Sequence, residues 1–185
     1  MTVIRDRRSL VEACRQGFRP KYLCFWGHKQ KRRSVDKSCL SQWFPSSFEV
    51  GGERFATAEH WMMAGKARLF GDAETRARIL AARSAAEAKK LGRQVRHFDE
   101  VLWDERSFDI VVEGNVHKFG HDPRLRSFLL STGSRVLVEA SPRDDIWGIG
   151  LAQDHPHATQ PEMWLGENKL GFALMVARER LAGDG

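Results

Sequence analysis

The stretch Ala140–Gly150 (ASPRDDIWGIG) gathers more potential chemistry than any other part of the chain. Two adjacent acids, Asp144 and Asp145, precede Trp147, which runs into Gly148 and Gly150. Glycines let a backbone turn tightly and come close to a ligand. A tryptophan offers a flat face for stacking, and a carboxylate three residues earlier is placed to act on whatever is stacked. The combination points to a pocket for a planar small molecule. The same residues read equally well as a strand-exit turn with a core tryptophan.

A second group of residues lies in the segment Thr57–Gly71. Thr57 is a good N-cap for a helix running to about Phe70, and Gly71 is a good stop. Glu59, Met63 and Lys66 then share one stripe of that helix, with Trp61 on another side. By itself Glu59 is an ordinary first-turn acid, favoured by the positive end of the helix dipole. A third group, His28–Arg33 (HKQKRR), carries much of the net charge of +6. It reads as a loop, either solvated or in contact with phosphate.

At 185 residues the chain is long enough for one domain with a good core. It is 42% hydrophobic and 29% charged, the balance of a globular protein in water. No apolar run approaches the roughly 18 residues a membrane span needs. The first residues (MTVIRDRR) have no apolar core of a secretory signal. The three cysteines, Cys14, Cys24 and Cys39, have no metal-ligand spacing. Together these features imply a cytoplasmic protein without a membrane partner.

The elements that must position these groups are mostly helices. Tyr22–Trp26 reads as a short buried strand. Phe48–Val50 and Glu53–Phe55 flank a two-glycine turn and predict a hairpin. After the Thr57 helix, Asp72 opens one through about Ala82, and Ser84 with Glu87 forms a capping box for a helix ending at Gly92. Asp104 starts a helix reaching Phe119, closed by Gly120. Asp122-Pro123 opens another, ending near Thr132-Gly133. Arg135–Glu139 is a strand and Asn168–Leu181 a last helix. The expected fold class is α+β: a compact, helix-rich single domain with a few short strands, covering 21–182. Residues 1–20 read as an N-terminal appendage.

Seven segments, in order, match one family. They are Tyr22–His28 (YLCFWGH); Leu40–Pro45 (LSQWFP); Phe55–His60 (FATAEH) with Lys66; Leu91-Gly-Arg93 with Trp103; Lys118-Phe119 through Thr132-Gly133; Leu137–Ser141 with Asp144 and Trp147–Gly150; and Asn168–Gly171 with Leu174-Met175. On these the chain resembles the NADAR superfamily, the YbiA-like N-glycosidases, over roughly residues 22–181. The resemblance implies cleavage of an N-glycosidic bond to a ribose. In one branch the substrates are phosphorylated ribosylaminopyrimidine intermediates of riboflavin synthesis, and ribose 5-phosphate is released. In another branch ADP-ribose is removed from guanine bases in nucleic acid. Neither a metal nor a cofactor is implied.

Breaking an N-glycosidic bond builds oxocarbenium-like charge on the sugar, which carboxylates stabilise while activating water. In that light Glu59 is the first candidate for base or electrostatic stabiliser, and Asp144 the second acid. Trp147 would stack on the base, with Gly148 and Gly150 allowing close approach. Asn168 would read polar groups, since its amide both donates and accepts. Lys66 and Lys118 are phosphate candidates. Phe25 and Trp26 alternate on a strand, so one faces the core and the other is free for ligand. His28 and Trp103 complete the candidate set, although Trp103 serves equally as a hydrophobic staple. Glu139 reads as a surface acid or a pocket acid. Two segments depart from the compact family pattern: the long, basic 28–38 stretch and an insertion over 153–164. Both are expected to flank the site.

Three readings follow. The first is an N-glycosidase acting on a small phosphorylated ribosylaminopyrimidine. The second is an ADP-ribosyl hydrolase whose partner is modified nucleic acid. The third is a non-catalytic module binding ADP-ribose or a nucleotide.

Overall fold

The computed structural model describes residues 4–29 and 34–183. Its elements run in the order α1 (Arg7–Arg15), β1 (Tyr22–Phe25), β2 (Phe48–Val50), β3 (Glu53–Phe55), α2 (Ala58–Leu69), α3 (Ala73–Leu80), α4 (Ala85–Gly92), α5 (Glu100–His121), α6 (Pro123–Ser131), β4 (Val136–Glu139) and α7 (Lys169–Gly183). Short 3-10 turns occupy Lys37–Leu40 and Pro161–Met163. This is the helix-rich α+β arrangement expected.

Local signals explain most helix starts. Thr57, Asp72, Ser84 and Asp122 each place a side-chain oxygen on a first-turn N–H of the following helix. The Ser84 capping box forms with a shift: Glu87 reaches back to the N–H of Arg83. The helix expected from Asp104 begins earlier, because Asp99 accepts from the Leu102 N–H and caps it. It also runs through Gly120 to His121 and stops only where Asp122 caps the next helix and Pro123 removes a donor.

The strands form two separate ribbons. β2 and β3 pair antiparallel, with Phe48 opposite Phe55. β1 and β4 pair parallel, with Tyr22 beside Val136 and Phe25 beside Glu139. This parallel pair joins residues 22–25 to 136–139 across most of the chain. Two helices are buried almost all round. α2 is covered from Ala58 to Ala64, and α7 from Leu170 to Arg178. A helix without a wet face belongs at the centre. α2 packs on α3, α4 and α5, while α7 packs on α5 and β4.

The segment set apart as an appendage contains α1. Asp6 and Ser9 cap it reciprocally, and its Leu10 is fully buried in the common core. Arg7 Nε donates to the Pro161 carbonyl at 2.9 Å. Among the described residues no helix is long and apolar enough to cross a membrane.

Candidate active site

The start of α2 is held unusually firmly. His60, 1% exposed, places Nδ1 2.8 Å from Thr57 Oγ1 and Nε2 3.0 Å from the Ala82 carbonyl. A carbonyl only accepts, so Nε2 carries a proton. The neighbouring Glu59 donates its backbone N–H to the Gln42 carbonyl at 3.0 Å. That bond ties the helix start to the loop 39–44. The loop is pinned from beneath by α5: Lys118 Nζ donates to the Cys39 and Ser41 carbonyls at 2.6 and 2.8 Å, and Asn115 Nδ2 donates to Gln42 Oε1 at 3.0 Å.

A second wall is built where β4 ends. Asn168 is fully buried. Its Oδ1 accepts from the Glu139 N–H and its Nδ2 donates to the Leu137 carbonyl, both at 2.9 Å. The carbonyl of Glu139 accepts from the Ile149 N–H. Gly171 permits this closeness, since a Cβ there would sit 2.0 Å from the Leu137 carbonyl oxygen. Gly148 does the same for the loop above, where a Cβ would meet the Glu139 and Asp144 carbonyl oxygens at 2.9 and 2.8 Å. Asp144 shapes that loop. Its Oδ1 accepts from the N–H groups of Ile146, Trp147 and Gly148 at 3.0, 2.7 and 3.4 Å. Its Oδ2 has no such partner among the described residues.

Between these walls lies a cavity of about 240 Å³. Glu59, Glu139 and Asp144 line it, with Trp43, Trp103 and Trp147, and with Lys66, Lys89 and Arg93. The acids stand close enough to perturb one another. Burial pushes the Glu59 carboxyl up to about 7. The Lys89 charge and the Trp43 indole pull it back down, and Asp144 pushes it further up. Burial, then Asp144, pushes Glu139 up to about 8. Lys66 sits 4.1 Å from the Phe98 ring centre and 5.5 Å from that of Trp103, and burial lowers its pKa. Carboxyls held near neutrality, beside aromatic faces and cations, are suited to moving protons on a flat, anionic substrate. Among the described residues no group of three His, Cys, Asp or Glu is arranged to hold a metal ion.

A family model, the NADAR domain, matches residues 24–182. The chain belongs to the NADAR family. It is 44% identical to an N-glycosidase of Acanthamoeba polyphaga mimivirus over 164 residues, 86% of this chain and 95% of that one. It is 31% identical to the N-glycosidase YbiA of Escherichia coli over 149 residues, 80% of this chain and 84% of YbiA. The solution structure of Escherichia coli YbiA superposes with a TM-score of 0.71 at 26% identity, covering 90% of this chain and 88% of YbiA. A riboflavin biosynthesis protein of Vibrio vulnificus is 30% identical over 142 residues, 77% of this chain and 35% of that protein. This NADAR chain is thus an enzyme, an N-glycosidase that hydrolyses N-glycosyl bonds.

The NADAR chain brings together five of the residues singled out from its sequence: Glu59, Lys66, Trp103, Asp144 and Trp147 all line the cavity. Others lie elsewhere. Phe25 is fully buried in the core, and Trp26 is 54% exposed away from the cavity lining. Lys118 does not line the cavity; its buried ammonium is taken up by the Cys39 and Ser41 carbonyls of the loop. Asn168, Gly148 and Gly150 shape the wall without lining it. Gly150 has φ 68°, and a Cβ there would press on Leu165 Cβ at 2.9 Å. His28 touches the site only through the Trp43 ring, centroid to centroid 5.7 Å. Of the basic stretch, residues 30–33 lie outside the described residues. The 153–164 insertion does not line the cavity. It folds against α1 and β1, with Trp164 2% exposed and edge-on to Tyr22.

Glu139, open in the sequence between a surface acid and a pocket acid, lines the cavity, as do Trp43, Lys89 and Arg93, to which the sequence assigns no role. Glu139, Trp43 and Arg93 lie inside the matched segments LVEAS, LSQWFP and LGR. The signal for Glu139 is an acid following three buried strand residues, Val136, Leu137 and Val138.

Proposed function

We propose that this N-glycosidase hydrolyses phosphorylated ribosylaminopyrimidines of riboflavin synthesis, releasing ribose 5-phosphate and the free pyrimidine. The observation that carries this reading is the joint lining of one cavity by three carboxyl groups, three tryptophans and three cations. A ribosylaminopyrimidine phosphate has a matching division: a flat ring, a sugar that becomes positive as the bond breaks, and a phosphate.

In this reading Trp147 and Trp103 take the pyrimidine by stacking. Asp144 faces the developing oxocarbenium charge with Oδ2, its other oxygen being anchored by the backbone. Glu59, held near neutrality, accepts the proton of the attacking water. Lys66, Lys89 and Arg93 receive the phosphate, the task that Lys118 is too deeply anchored to perform.

A second reading, removal of ADP-ribose from guanine bases in nucleic acid, has one observation in its favour. Phe98 and Ile146, neighbours of cavity residues, are 46% and 53% exposed and offer a rest for a base outside the cavity. The non-catalytic module leaves Glu59 and Glu139, two carboxyls raised by burial, without a task.

The test is a product assay by mass spectrometry. The purified protein is incubated with ribosylaminopyrimidine phosphate and, separately, with DNA carrying ADP-ribosylated guanine. Ribose 5-phosphate from the first alone is expected. ADP-ribose from the second alone replaces this reading with the nucleic-acid one.

A further inference from the structure

The geometry points to Glu139 as the catalytic acid of this site, delivering its proton to the departing nitrogen. The inference rests on the hydrolysis proposed above.

Glu139 is the third acid of the cavity and the one with least compensation. Its Oε2 is sealed from solvent and has no hydrogen-bond partner among the described residues. Buried polar atoms are nearly always partnered, so an orphan on a cavity-lining residue needs an explanation. A protonated carboxyl whose hydroxyl awaits an acceptor supplies one, and the leaving nitrogen is that acceptor. The charged groups lining the cavity around it are Glu59 and Lys66 from α2, Asp144 from the loop, Lys89 from α4 and Arg93 at the C-cap of α4. The Glu59 carboxyl has the Lys89 charge and the Trp43 indole to favour its ionised form. Glu139 has no comparable aid, and burial with the Asp144 charge raises it to about 8. The two glutamates therefore divide the work, one accepting a proton and one giving it.

Glu139 is also held rigidly enough for directed proton transfer. Asn168 Oδ1 fixes its N–H, Ile149 fixes its carbonyl, and the side-chain-free Gly148 lets the loop close over it. The step balances simply. The C1′–N bond breaks with its electron pair going to nitrogen. The Glu139 O–H breaks and its proton joins that nitrogen. Water adds to C1′ and gives its proton to Glu59. Water refilling the cavity after product release then carries the proton from Glu59 back to Glu139.

The test compares two leaving groups. Glu139→Gln and wild type are assayed on ribosylaminopyrimidine phosphate and on 4-nitrophenyl riboside 5-phosphate, whose phenolate departs without a proton. Glu139→Gln is expected to lose about 100-fold or more on the first substrate and to stay within a fewfold on the second. Its alkaline limb near the wild-type pKa of about 8 should vanish. Equal losses on both substrates with the limb intact overturn the proposal. Wild type that cleaves only the nitrophenyl compound defeats the substrate reading alone, and the comparison is then run with ADP-ribosylated guanine DNA. Infrared difference spectra give a readout independent of turnover: a protonated-carboxyl band at neutral pH in Glu59→Gln that is lost when Glu139→Gln is added to it. A band that survives in the double variant assigns the proton elsewhere and rejects the proposal.

Discussion

Glu59 illustrates how a residue ordinary in sequence becomes distinctive in three dimensions. A first-turn acid is usually wet, but this one is 5% exposed and faces two other acids. Keeping it there costs stability, which the fold tolerates at a working site. Glu59→Ala should cut turnover by about 10²–10⁴-fold, the range for losing one acid–base group. Trp147→Ala should raise KM by removing a stacking face. Circular dichroism should show both variants folded; wild-type rates in a folded Glu59→Ala protein would remove Glu59 from the mechanism. The same acids set a pH dependence. Both glutamates bind protons more tightly folded than at their ordinary value of 4.5. Between that value and about 7 for Glu59, or about 8 for Glu139, the folded state holds protons that the unfolded chain has released. Stability therefore falls as pH rises through this window. Asp72, Glu53 and Asp122 are held low by Arg96, Arg76 and Arg124 respectively, so their stabilisation is lost only as pH falls toward the acid range. Thermal melts across neutral pH should show the decline, and Glu139→Gln should flatten its alkaline half. An unchanged slope in that variant contradicts the assignment.

At the scale of elements, caps and turns were legible and the partners of elements were not. Thr57, Asp72, Ser84 and Asp122 act on N–H groups two or three residues away, so their signal is local. Asp99 carries the same signal, but Asp104 five residues on offered a competing start, and Gly120 offered a stop that a helix can override. The β1–β4 pairing joins residues 22–25 to 136–139, and no local pattern encodes a partner that far away. Asn168 was visible as an important residue, but its contacts to β4 were not. Both ends of its amide are spent on the backbone of β4, which it clamps from a left-handed backbone, φ 56°. Asn168→Ala leaves the Leu137 carbonyl and Glu139 N–H unpaired, for a loss on the order of 3 kcal/mol. Asn168→Gly loses the same bonds but accepts the backbone, so it should be the milder change. Urea titration of both variants separates bond from backbone, and equal losses would mean that the left-handed conformation contributes nothing.

The whole molecule is organised as one core with the cavity at its seam. α2 carries Glu59 and Lys66, β4 carries Glu139, and the loop between β4 and α7 carries Asp144 and Trp147. Any of these parts moves only if central helices move with it. α1 stands in a different relation. It contributes the fully buried Leu10 to the core, yet none of its residues lines the cavity. Its partners are the 3-10 turn at Pro161–Met163 and, through Arg7, the Pro161 carbonyl, so the insertion serves to seat α1. Stability and chemistry should then separate at this end of the fold. Leu10→Ala deletes a buried side chain and leaves a void, for a cost of about 2–5 kcal/mol. Because the void lies outside the cavity lining, KM and kcat well below the melting temperature should stay at wild-type values. A lowered melting temperature with unchanged kinetics is the expected pair of results. A KM change in Leu10→Ala would instead mean that α1 is coupled to the cavity through β1 and β4, the parallel pair at whose end Glu139 stands.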